Sequence, residues 1–87
     1  MAKVTVYSTQ FCPYCEAAKR LLEDKGADFE VIDLTHDAEG RTKLIEKSNG
    51  MRTVPQIFIG DQHIGGFDQL SALDQKGELD PLLFENE

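Results

Sequence analysis

Phe11-Cys12-Pro13-Tyr14-Cys15 contains both cysteines of the chain. Two thiols three positions apart face the same way if a helix begins at the first, because residues i and i+3 are neighbours on a helical surface. Pro13 marks that beginning: its missing N–H costs nothing at the first helical position, and its fixed φ suits the turn. Cys12 is then the N-cap residue, facing free backbone N–H groups and the positive end of the helix dipole, which favour a thiolate over a thiol. An unperturbed cysteine is only about 3% thiolate at pH 7, whereas a helix N-terminus or a C-x-x-C motif brings the pKa to about 3.5 to 7.5. Cys12 is therefore the expected nucleophile and Cys15, one turn inside, its less exposed partner in a redox-active dithiol.

The totals agree with chemistry at this pair rather than a structural staple. A disulfide across it closes a four-residue ring and constrains the unfolded chain little. Eighty-seven residues suit one domain, 1–87, near the lower size at which a core suffices without staples. Met1-Ala2-Lys3 leads into an alternating segment with no apolar signal region, and no run approaches twenty apolar residues. A cytoplasmic protein without membrane attachment is the expectation, and in that compartment C-x-x-C is more often catalytic or metal-binding than structural. The net charge of −7 argues against nucleic-acid binding, which needs lysine and arginine at phosphates. Any small anion would need local help from Arg41, Lys43, Lys47 or Arg52.

Outward from the motif, Lys3–Tyr7 alternates Val4 and Val6 against Thr5 and Tyr7 and reads as a strand. From Pro13 the period becomes helical, with Cys15, Ala18 and Leu22 on one stripe and a stop at Gly26. Phe29–Leu34 follows as a second strand, completing a parallel, right-handed βαβ unit. Asp37 suits the N-cap of a partly exposed helix reaching about Ser48, ended by Asn49-Gly50. Gln56–Ile59 is an apolar strand, and Gly60-Asp61 turns it into a hairpin with Gln62–Ile64. Gly65-Gly66 breaks that strand, a third helix opens at Phe67 or Asp68 and stops near Gly77, and Leu79–Phe84 adds a short helical piece before an acidic end. The order β-α-β-α-β-β-α gives an α/β fold with a mixed four-stranded sheet sandwiched by helices.

Cys12-Pro13-Tyr14-Cys15, Thr53-Val54-Pro55 and Gly65-Gly66-Phe67-Asp68, in that order and at these separations, resemble the glutaredoxin family over essentially the whole chain, in particular its small bacterial dithiol members. The resemblance implies a thioredoxin fold, glutathione as reducing co-substrate with no metal, and reduction of glutathionylated proteins and protein disulfides by a monomer. By position it makes Cys12 the nucleophile and Cys15 the resolving thiol of a Cys12–Cys15 redox disulfide. Val54-Pro55 would be a cis peptide opposite Cys12, with Thr53 and Val54 offering glutathione a short antiparallel pairing. Gly66, Phe67 and Asp68 would receive its γ-glutamyl end, Tyr14 would flank the cleft, and Arg52 would attract the glycine carboxylate. The sequence departs from the common family pattern at Thr9, where many members carry lysine, at Gln69, where many carry aspartate, and at Phe67, where smaller residues are usual. Weaker electrostatic help for the thiolate and for glutathione is the consequence.

Other readings of the same residues remain. An inert cysteine pair is one, and half a zinc site completed by His36 or His63 is another, against both histidines being surface residues. Phe11 and Phe67 divide between packing and contact with ligand or protein substrate. At the level of function the alternatives are a redoxin driven by thioredoxin reductase and serving ribonucleotide reductase, and a dimeric iron–sulfur carrier ligated by Cys12 and glutathione.

Overall fold

In the computed structural model, residues 3–85 are described; the ends of the expected 1–87 domain, including the final Glu87, lie outside them. The strands are β1 (Val4–Ser8), β2 (Phe29–Asp33), β3 (Gln56–Ile59) and β4 (Gln62–Gly65). The helices are α1 (Pro13–Asp24), α2 (Ala38–Lys47) and α3 (Phe67–Gln75), followed by a π-helical turn, Pro81–Glu85. The sheet order is β2-β1-β3-β4, with β1 parallel to β2 and antiparallel to β3, and β3 antiparallel to β4. This is the mixed four-stranded α/β arrangement expected from the element order and the thioredoxin fold that the resemblance implies, and each element starts within a residue or two of its expected position.

Strand alternation distributes side chains between two unequal layers. Val4, Val6, Ile57 and Ile59 face α1 and α3, where they are buried with Ala18, Leu22, Leu70, Leu79 and Leu83. The terminal turn is thus part of the main core through Leu83, with Leu79 just before it. On the other face, Leu34, Leu44 and Phe58 form a smaller cluster with Tyr7, Ile32 and Val54 beneath α2. Only Leu44 of α2 is buried, which keeps that helix partly exposed. β2 is an edge strand, so Val31 is exposed despite its apolar character.

An ion cluster ties the ends of the larger layer together. Lys25, just past α1, lies 2.6 Å from Asp74 in α3 and 3.1 Å from Asp80 before the last turn. Hydrogen bonds first to Asp74 and then to Asp80 hold its ammonium above the ordinary lysine range. Among the described residues no helix is long and apolar enough to cross a membrane.

Candidate active site

The two central strands deliver their ends to one edge of the sheet, where α1 begins. β1 ends at Ser8, and a short loop reaches Cys12, which caps α1 in an extended conformation. Its Sγ occupies the place of the usual serine or threonine oxygen, accepting the Cys15 N–H at 3.1 Å. The Cys12 carbonyl accepts the Glu16 N–H at 3.1 Å and so starts the helical ladder. Cys12 and Cys15 are joined by a disulfide with their Cα atoms 5.2 Å apart. Cys15 is fully buried, while Cys12 is half-exposed at the surface.

The positive end of α1 is the main electrostatic feature at Cys12. Lys19, the nearest lysine along α1, is paired with Glu16 at 2.6 Å. Thr9 contributes no charge.

Across from Cys12, the Val54–Pro55 peptide is cis. The Val54 carbonyl oxygen lies 3.8 Å from Cys12 Sγ. In the disulfide that sulfur has no proton to donate; the reduced thiol has one. A groove of about 320 Å³ opens beside this pair, lined by Tyr14, Met51, Thr53, Val54, Pro55, Gly66, Phe67, Asp68 and Gln69. Tyr14 and Phe67 stack across its wall with centroids 6.3 Å apart. Seven residues drawn from the three sequence motifs, Tyr14, Thr53, Val54, Pro55, Gly66, Phe67 and Asp68, are therefore gathered on one surface. Arg52 lines a second hollow of about 230 Å³ with Arg41, sharing Met51, Thr53 and Val54 with the first.

The far wall depends on a glycine pair. Gly65 has φ +117°, a conformation that side chains strain against. A Cβ on Gly66 would meet the Pro55 carbonyl at 3.3 Å, so α3 starts close against the Val54-Pro55 segment. Gln69 Oε1 accepts the Gly66 N–H at 2.8 Å, half of a capping box. The N–H groups of Phe67, Asp68 and Gln69 then have no intrahelical partner and are available to an anion at the start of α3.

Two groove residues were not among the sequence-based candidates. Gln69 stood out only as a departure from the family pattern, and its capping bond explains its place. Met51 gave no signal beyond preceding Arg52, and it touches both hollows. Of the two histidines, both expected at the surface, one differs. His63 is half-buried, stacked on Phe58 with centroids 4.9 Å apart and 2.7 Å from Gln56 Oε1. His36 is exposed. Among the described residues, no group of three or more His, Cys, Asp or Glu side chains is arranged to hold a metal ion.

Comparison with known proteins follows this geometry. A family model described as Glutaredoxin matches residues 4–64. The chain is 52% identical over 83 residues to Glutaredoxin 3 of Escherichia coli strain K12, covering 95% of this chain and 99% of that one. Its structure is similar to a buckwheat glutaredoxin–glutathione complex, with TM-score 0.88, 36% identity, and 97% of this chain and 78% of that one covered. It is also similar to a glutaredoxin from Brucella melitensis, with TM-score 0.85, 48% identity, and 95% and 89% covered. Motif order, fold and relatives agree: the chain is a dithiol member of the glutaredoxin family, the glutathione-dependent thiol–disulfide oxidoreductases.

Proposed function

We propose that this chain is a cytoplasmic, monomeric, single-domain reductase that uses glutathione to reduce protein–glutathione mixed disulfides through Cys12 alone, and protein disulfides through Cys12 and Cys15 together. The observation that carries this reading is the position of Cys12 Sγ, at the α1 N-terminus and 3.8 Å from the Val54 carbonyl at the groove.

In the one-thiol route the Cys12 thiolate attacks the glutathione sulfur of a mixed disulfide. The Cys12–glutathione bond forms, the old S–S bond breaks, and the protein sulfur leaves with the electron pair and takes a proton from solvent. A second glutathione, as thiolate, attacks the glutathione sulfur on Cys12; glutathione disulfide departs and Cys12 returns as thiolate. The helix terminus that stabilises this thiolate also makes it a good leaving group. In the two-thiol route Cys12 forms the mixed disulfide with the substrate protein. Cys15 then gives up its proton and attacks Cys12 Sγ, expelling the reduced substrate and closing the Cys12–Cys15 disulfide for glutathione to reopen. Ribonucleotide reductase is one candidate for such a substrate.

The groove supports a glutathione pose. Thr53 and Val54 offer backbone pairing, and Pro55, Gly66 and Tyr14 shape the walls. The N–H groups of Phe67 and Asp68 receive the γ-glutamyl carboxylate, and the Asp68 carboxylate meets its ammonium. Arg52 attracts the glycine carboxylate from the adjoining hollow. The buckwheat relative was solved as a glutathione complex, which supports the same ligand here.

The test is turnover of a glutathionylated protein with glutathione, glutathione reductase and NADPH. Steady NADPH consumption dependent on this chain is expected. Reduction only by thioredoxin reductase would assign the redoxin alternative, and visible absorbance after anaerobic purification, with no turnover, the iron–sulfur carrier.

A further inference from the structure

Phe11 is 97% exposed although it adjoins the nucleophile. A single exposed apolar side chain is ordinary on a protein surface. Its backbone is not: Phe11 has φ +57°, in the left-handed region that bulky side chains avoid. Among the described residues, the other non-glycine residue with positive φ is Asn49, in an Asn-Gly turn, where asparagine tolerates this conformation. A phenylalanine held there is strained, and the conformation persists only where neighbouring structure enforces it.

That enforcement is visible one residue upstream. The Gln10 N–H donates to Thr35 Oγ1 at 2.7 Å. The Thr35 hydroxyl and N–H both donate to Asp33 Oδ1, at 2.6 and 2.8 Å. This chain of bonds anchors the loop before Cys12 to the end of β2, so the loop has little freedom to fold Phe11 back against the protein.

Phe11 lines neither hollow beside Cys12. The stacked Tyr14–Phe67 pair belongs to the groove side. A substrate protein joined to Cys12 by a disulfide lies next to Phe11 in the chain, and a protein leaving from a glutathione mixed disulfide must lie over surface that glutathione does not fill. With a background charge of −7 there is little electrostatic attraction for acidic proteins, and an apolar contact is the recognition this surface offers.

We propose, on the basis of the glutathione-dependent reading above, that Phe11 is a specificity-determining residue: it selects disulfide substrates, glutathione mixed disulfides among them, whose target cysteine is flanked by an apolar or aromatic side chain.

The experiment uses the full chain, its Phe11→Ala, Phe11→Gly and Phe11→Leu variants, and three glutathione mixed disulfides. Two are peptides differing only in leucine or glycine beside the cysteine, and the third joins glutathione to 2-mercaptoethanol. The unaltered protein should favour the leucine peptide in kcat/KM by about tenfold, equivalent to ~1.4 kcal/mol. Phe11→Ala and Phe11→Gly should lose that preference, Phe11→Leu should keep most of it, and the 2-mercaptoethanol substrate should be turned over about equally by all four. Phe11→Gly also relieves the backbone strain, so its melting temperature should not fall while its selectivity does. No preference in the unaltered protein, or an equal loss on all three substrates, would overturn the proposal. Failure of the unaltered protein on the 2-mercaptoethanol substrate would instead overturn the glutathione reading, and this one with it.

Discussion

His63 Nε2 lies 2.7 Å from Oε1 of the fully buried Gln56. The orientation of that amide follows from its other end. Gln56 Nε2 is 2.9 Å from the Thr53 carbonyl, which can only accept, and 3.2 Å from Thr53 Oγ1. The amide nitrogen therefore faces Thr53, the amide oxygen faces His63, and His63 must carry a proton on Nε2. A relay from β4 through β3 thus supports Thr53, a wall of the groove.

Gln56→Leu roughly keeps the side-chain volume but leaves the Thr53 carbonyl and His63 without this partner. A fully buried unpaired group costs about 1–3 kcal/mol; Thr53 is exposed and His63 half-buried, so the cost here falls toward the lower end of that range. The variant should unfold at lower urea concentration and show a raised KM for glutathione with a smaller change in kcat. Equal stability and KM in the two proteins would show that the relay does not support the groove.

Asp33 gives a prediction in pH. Thr35, donating first its hydroxyl and then its N–H, holds the Asp33 carboxyl below the ordinary range, with smaller attraction from His36 and Lys19. A depressed folded pKa contributes stability that is present above the unfolded value of about 3.9 and is lost as pH falls through the folded one. In Thr35→Val the Asp33 titration midpoint, followed by NMR, should move up toward that ordinary value, and the acid loss of stability attributable to Asp33 should shrink. The backbone N–H of residue 35 remains in this variant, so an unmoved midpoint would remove the hydroxyl hydrogen bond as the main cause.

Leu83 tests the weight of the last turn. It is fully buried in the larger core. Leu83→Ala should cost about 2–5 kcal/mol in urea unfolding, as a cavity at a packed core position does. Activity per folded molecule should stay close to that of the parent, since Leu83 lines neither hollow. A cost near zero would mean that the turn is dispensable to the core.

Much of this was legible in the sequence for physical reasons that can be named. Pro13 and the i, i+3 spacing located α1 and its capping thiol, and the alternation of Val4 and Val6 marked the face that packs on α1. Gly65-Gly66 announced a close approach, which the Pro55 carbonyl supplies. The contribution of Leu83 was not legible, because a five-residue piece beginning with proline has no period to read and its burial is set by the core it packs against. Gln56 sat in an apolar run, and only its partners across β4 and in the preceding loop show why a buried amide is there. The left-handed Phe11 left no trace in residue type, since the bonds that hold it come from Asp33 and Thr35, more than twenty residues away.

Thr9 bears on the electrostatics of the thiolate. Without a lysine there, the α1 terminus is the principal support for a Cys12 thiolate. In a Cys15→Ser background, Thr9→Lys should lower the Cys12 pKa, read by the ultraviolet absorbance of the thiolate, and lower the apparent KM for glutathione. A nearby exposed cation contributes modestly and should be weakened by salt. If neither quantity moves, the helix terminus alone is sufficient.

The division of labour between the two cysteines is tested most directly by the mass of the trapped intermediate. Cys15→Ser, reduced and then exposed to glutathione disulfide, should carry one glutathione, mapped by peptide mass to Cys12, and should retain deglutathionylating turnover while losing reduction of protein disulfides. Cys12→Ser should be inactive on both. A glutathione adduct absent from Cys12, or turnover surviving in Cys12→Ser, would contradict the assignment of the nucleophile.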